Sequence, residues 1–152
     1  MQQRIYLDTS VVGGYLDIEF QEWSRRLFDE FKRGNKMAVI SDITIDELNN
    51  ARQEIRDLLN LIPEEYKEYI VKDEETEYLA DAYLKEGAIT EKFREDALHI
   101  AIATIYKVDV LVSWNFKHIV NLDRIRKYNA INLMNGYTIL EIRNPREILK
   151  EI

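Results

Sequence analysis

The chain has 152 residues, a length suited to one domain with a sizeable core. Its 28 acidic and 21 basic residues give a net charge of -7, which argues against a protein that coats nucleic acid by bulk charge. There is no cysteine, and the two histidines, His99 and His118, are not spaced as a metal-binding pair, so disulfides and soft-metal sites are excluded. No basic segment leads into an apolar one at the N-terminus, and no apolar run approaches the roughly 18 to 20 residues of a membrane span; a soluble, cytoplasmic protein is expected.

Residues 4–8, RIYLD, read as a short apolar strand ending on the carboxylate of Asp8, with Thr9, Ser10 and the pair Gly13-Gly14 behind it. Trp23, Leu27, Phe28 and Phe31 recur at helical spacing, and Gly34 stops that helix. Residues 37–41 form a second strand, and 42–51 return to helical spacing, which puts Glu47 one or two turns past that strand's end. Ile55, Leu58, Leu59 and Ile62 predict a helix over 51–62, closed by Pro63. A short strand at 69–71 and a charged helix over 74–86, ended by Gly87, follow.

Thr90 is the expected N-cap of the central helix, whose apolar run Ala97-Leu98, Ile100 to Ala103 and Ile105 is hydrophobic almost all round and so belongs inside. Asp96 opens that run. A carboxylate at the edge of such a helix is costly to desolvate unless a cation, a donor or water meets it. Residues 108–113, VDVLVS, are continuous rather than alternating, the pattern of a parallel strand covered on both faces, and stop at Ser113-Trp114-Asn115. A basic helix over 120–128, a last strand over 138–142 and a helix begun by Asn144-Pro145 complete the chain.

Strands alternating with helices imply a single α/β domain spanning 1–152, with a mainly parallel central sheet flanked by helices. Ligands of such sheets bind at the strands' carboxyl ends, where Asp8, Glu47, Asp96 and Asn115 converge. Gathered carboxylates repel by roughly 4 kcal/mol per pair at 4 Å and an effective dielectric of about 20. All-oxygen donors without cysteine favour a hard cation, Mg²⁺ or Mn²⁺, able to activate water and stabilise the leaving oxygen of a phosphodiester.

Four segments, IYLDTSVV (5–12), ITIDEL (43–48), DALHIAIA (96–103) and LVSWNFKHI (111–119), stand in the order found in PIN-domain nucleases, and the chain resembles the toxin ribonucleases of toxin–antitoxin pairs. The resemblance covers nearly the whole chain. It implies a metal-dependent endoribonuclease with Asp8, Glu47 and Asp96 as metal-site acids, an antitoxin protein as partner and a homodimer. Many members carry a fourth acid where this chain has Asn115, which would complete the shell without adding charge. Ser10 and Ser113 gain a polar role near the metal or substrate. Lys117, His118, Arg124, Arg126 and Lys127 form a basic strip for RNA phosphates, and Trp114 could stack on a base.

Each residue also has a structural reading. Asp8 can cap a turn, and Thr44-Ile45-Asp46-Glu47 fits a capping box in which Glu47 reaches back to a backbone N–H. Asp96 can be held by the helix dipole. Asn115 and Ser113 are ordinary turn residues, His99 a hydrogen-bonded core histidine, Trp114 packing and the basic strip a solvated face. The absent fourth acid motivates a second functional class, a PIN-like binding module of little or no activity working through a protein partner. A phosphoacceptor domain of the receiver type lacks the paired acids near the first strand.

Overall fold

In a computed structural model the described residues are 2–149. Five strands form one sheet among them: β1 (Gln3–Leu7), β2 (Lys36–Ser41), β3 (Lys67–Ile70), β4 (Val110–Val112) and β5 (Ile142–Arg143), in the order β3-β2-β1-β4-β5. Every neighbouring pair is parallel, with Ile5 opposite both Ala38 and Val110. The helices are α1 (Thr9–Gly14), α2 (Gln21–Lys32), α3 (Asp42–Asn49), α4 (Gln53–Arg56), α5 (Glu74–Lys85), α6 (Arg94–Ile105), α7 (Leu122–Met134) and α8 (Pro145–Leu149). The expected α/β architecture is the one observed.

Both faces of the sheet are buried, which explains the unbroken apolar strands. Ile5 and Leu7 of β1 point into a layer with Ala38, Ile40, Val110, Val112 and the α2 side chains Leu27, Phe28 and Phe31. Tyr6 points the other way, into a layer with Val39, Leu111 and residues of α5, α6 and α7. From Ala97 to Thr104, α6 is buried at every position, as its all-round hydrophobicity requires.

Several boundaries differ from the sequence reading. The helix expected over 51–62 is α4 followed by a 3₁₀ turn, Asp57–Leu61. Its three-residue period sets Leu59 and Ile62 on one side, and both are buried. Thr90 does not cap the central helix: its side chain makes no capping bond, and a 3₁₀ turn, Glu91–Phe93, separates it from α6. The basic helix expected to end at 128 continues to Met134, because the polar Asn132 faces inward, where it accepts from the Tyr83 hydroxyl and donates to Thr104 Oγ1. The strand expected over 138–142 shrinks to β5. Ahead of it, the Asn129 amide accepts from Leu140 N at 2.7 Å and donates to Leu140 O at 3.1 Å, standing in for a neighbouring strand. Asn144 does cap α8, exchanging hydrogen bonds with Glu147.

Candidate active site

β1 ends at Asp8, which is 3% exposed and caps α1 through Val11 N at 3.2 Å. The turn reading of Asp8 therefore holds, but it accounts for only part of what the carboxylate does. Ser10 Oγ donates to Asp8 Oδ1 at 2.7 Å, and Ser113 Oγ to Oδ2 at 2.5 Å. Each hydroxyl in turn accepts a backbone N–H of the loop after β4: Ser10 from Trp114 at 2.8 Å, Ser113 from Asn115 at 2.9 Å. Asp8 thus fixes that loop through two serine relays. Ser113→Ala leaves one Asp8 oxygen and one N–H without this partner, so a stability loss of about 1–3 kcal/mol is expected in denaturant unfolding.

Trp114 takes the packing role. Its Nε1 donates to Ser24 Oγ at 2.9 Å, and its ring stacks on Phe20 at 4.4 Å. The close approach depends on Gly14, where an added Cβ would lie 2.7 Å from Ser24 Oγ and 2.8 Å from Trp114 Nε1. Gly14→Ala should cost about 1–3 kcal/mol by overpacking, and a melting curve matching wild type would contradict that contact.

Glu47 does not form the capping box. Ser41 caps α3 instead, accepting from Thr44 N, which frees the Glu47 side chain one turn further on. Glu47 Oε1 accepts from Thr9 Oγ1 at 2.7 Å and meets His99 Nε2 at 2.6 Å. The other ring nitrogen lies 2.6 Å from the Tyr6 hydroxyl, itself 2.7 Å from Ser41 Oγ. His99 is the hydrogen-bonded core histidine the sequence allowed, and it ties Glu47 to the sheet.

Among the described residues Asp96 is the least satisfied of the three acids, its one side-chain partner being Asn115 Nδ2 at 3.3 Å. The Asn115 carbonyl oxygen is taken up by the backbone N–H groups of Lys117 and His118, so Asn115 faces Asp96 with its amide. Burial, with Asp8 and Glu47 adding to it against His99, pushes the Asp96 carboxyl up to about 6. Burial also raises Asp8, opposed by His99 and the two serines. Burial would raise Glu47, but its bond and attraction to His99 outweigh that and hold it low. Burial pulls His99 down, yet Tyr6, Glu47 and Asp8 together lift it well above 6.5.

Glu47, Glu95 and Asp96 face a cleft of about 660 Å³, with Lys72, Lys92 and Arg94 also among its lining residues. Glu95 was not singled out from the sequence, where it is one acid in the run REDA; burial and the nearby Glu47 raise its carboxyl. The basic strip does not assemble in this cleft. His118 is buried against Phe93 at 3.8 Å with Nδ1 unpartnered, Arg124 donates to Ala88 O, and Lys127 pairs with Asp123 at 3.2 Å. Lys117 and Arg126 are exposed.

Among the described residues no three His, Asp or Glu side chains are set to hold a metal ion as they stand. The donor chemistry nevertheless fits a hard cation: Asp8, Glu47 and Asp96 offer only oxygens, and Asp8 and Glu47 both raise Asp96, a repulsion a cation would relieve.

The five-stranded parallel sheet flanked by helices has a PIN-like fold. Its fold is similar to a chain in VapBC2 from Rickettsia felis bound to a DNA fragment from their promoter, 17% identical over 92% of this chain and 98% of that one, TM-score 0.59. It is similar to a chain in VapBC-1 from nontypeable Haemophilus influenzae, 19% identical over 94% and 98%, TM-score 0.58. It is also similar to one in FitAcB from Neisseria gonorrhoeae, 16% identical over 93% and 97%, TM-score 0.57. No family sequence model and no curated protein sequence matches the chain.

Proposed function

We propose that this chain is an endoribonuclease dependent on Mg²⁺ or Mn²⁺ and acts as the toxin of a toxin–antitoxin pair. The observation that carries the reading is Asp96, which lines the cleft beside Glu47 and whose carboxyl is raised to about 6 by burial and by the charges of Asp8 and Glu47. Clustered acids that strain one another at a sheet's carboxyl edge are more often functional than structural. Asp8, Glu47 and Asp96 would hold the cation, which supplies an activated water and charge stabilisation at a phosphodiester. His99 keeps Glu47 ionised and oriented, Asn115 steadies Asp96, and the Ser10 and Ser113 hydroxyls hold Asp8.

The likeness of fold to VapBC and FitAB chains supports an antitoxin-like protein partner and a dimeric assembly. One of those structures, VapBC2 from Rickettsia felis, is bound to a DNA fragment. RNA as substrate puts the work in the cytoplasm, and no described helix is long and apolar enough to cross a membrane. A binding module of little activity is the second reading, favoured by Asn115 in place of an acid and by the two Asp8 oxygens already occupied. RNA cleavage with Mn²⁺, Mg²⁺ or chelator separates the two. Stable partner binding with no metal-dependent turnover on any RNA would favour the second.

A further inference from the structure

Three cations, Lys72, Lys92 and Arg94, line the proposed active cleft, and a single carboxylate bridges the first and the last. Glu77 Oε1 accepts from Lys72 Nζ at 2.7 Å, and Glu77 Oε2 from Arg94 NH2 at 2.7 Å, while Arg94 NH1 keeps a separate pair with Asp81 at 2.6 Å and lies 3.9 Å from Glu91. Two oxygens of one anionic group, each on its own cation, is the arrangement that the two non-bridging oxygens of a phosphodiester also present. The bridge joins α5 to the start of α6, two residues before Asp96. Beside it, Lys92 and Phe93 line the same cleft, so cations and an aromatic surface meet next to the acids. Single-stranded RNA is held by such combinations of cation and ring.

We infer that Lys72 and Arg94 are the RNA-phosphate clamp of this site and that Glu77 is an internal competitor, bridging the pair until a phosphodiester displaces it. This inference rests on the ribonuclease reading and replaces the basic strip of residues 117–127 as the path of the substrate. Lys92 and Phe93 continue the track toward Asp96. Glu77 then sets a threshold: a strand that cannot offer a phosphate at this spacing leaves the carboxylate in place.

The test is fluorescence anisotropy of a labelled single-stranded RNA with Mg²⁺, in an Asp96→Asn background so that nothing is cleaved. Glu77→Gln should tighten binding about 3- to 10-fold, and Lys72→Ala should weaken it by a similar factor while lowering the salt slope by about 1. Arg94→Ala should weaken it further, with a melting curve confirming that the variant is folded. RNA binding that none of these changes moves would overturn the clamp and leave the nuclease reading standing. No RNA binding by any variant, together with no metal-dependent cleavage by the wild type, would overturn both. A polyglutamate probe that depends on Lys72 and Glu77 where RNA does not would assign the rim to an acidic protein partner and overturn the RNA clamp.

Discussion

Without added metal and at about pH 7.5, Asp96→Asn should melt higher than the wild type while having lost RNA cleavage. An acid whose folded pKa of about 6 lies above its ordinary 3.8 binds protons more readily when folded. The folded state therefore loses stability as pH rises from about 3.8 to about 6, and the deficit is fully present above that. The difference amounts to at most about 3 kcal/mol, of which solvent screening at this partly exposed group leaves on the order of 1–2. Asparagine removes the charge and keeps an oxygen for the Asn115 amide. A rise of about 3–6 °C follows for a domain of this size. The gain should vanish below about pH 4, where the wild-type carboxyl is itself neutral. A variant less stable than wild type across this range would mean that Asp96 serves the fold, as the helix-dipole reading has it.

His99→Ala should do the opposite. The imidazole is buried between Tyr6 and Glu47, so its removal leaves a cavity, a Tyr6 hydroxyl with Ser41 as its remaining partner and a half-buried carboxylate without its cation. Breaking a buried pair in this way costs about 3–5 kcal/mol. The pH dependence is a sharper signature than the size. A histidine raised above its ordinary 6.5 contributes stability that is fully present below that value and lost as pH rises through the folded one. Wild-type stability should therefore fall with rising pH above about 6.5, and His99→Ala should lack that part of the slope. Denaturant unfolding from about pH 6 to pH 9 reads both quantities. A loss below about 1 kcal/mol with the slope unchanged would remove His99 from the support of Glu47.

These two residues also mark how far the sequence was legible. Asp96 stood out because a carboxylate that opens an apolar helical run is costly to desolvate, and burial raises its pKa as that argument requires. The strands were legible for the same reason, since both faces of the sheet are covered. Glu47 was ambiguous because its own segment offered a capping box; Ser41, outside that four-residue pattern, took the cap and left Glu47 for His99, 52 positions away. Long-range partnerships of this kind leave no local trace.

The helix expected over 120–128 runs on because the polar Asn129 and Asn132 beyond it are each satisfied inside, one by the Leu140 backbone and the other by Tyr83 and Thr104. The basic strip failed in the converse way. Arg124 and Lys127 are near neighbours in sequence, but a helix turns them to different partners, Ala88 O and Asp123. Of the cations that line the cleft, Lys72 stands 20 and 22 positions from Lys92 and Arg94, so the three do not form a patch in the sequence.

The most direct test of the central claim is cleavage of a mixed set of structured and single-stranded RNAs by the wild type and Asp96→Asn, with Mn²⁺, with Mg²⁺ and with chelator. The account predicts cleavage by the wild type with either metal, none with chelator, and none by the variant under any condition. Cleavage that survives in chelator, or in Asp96→Asn at the wild-type rate, would contradict it.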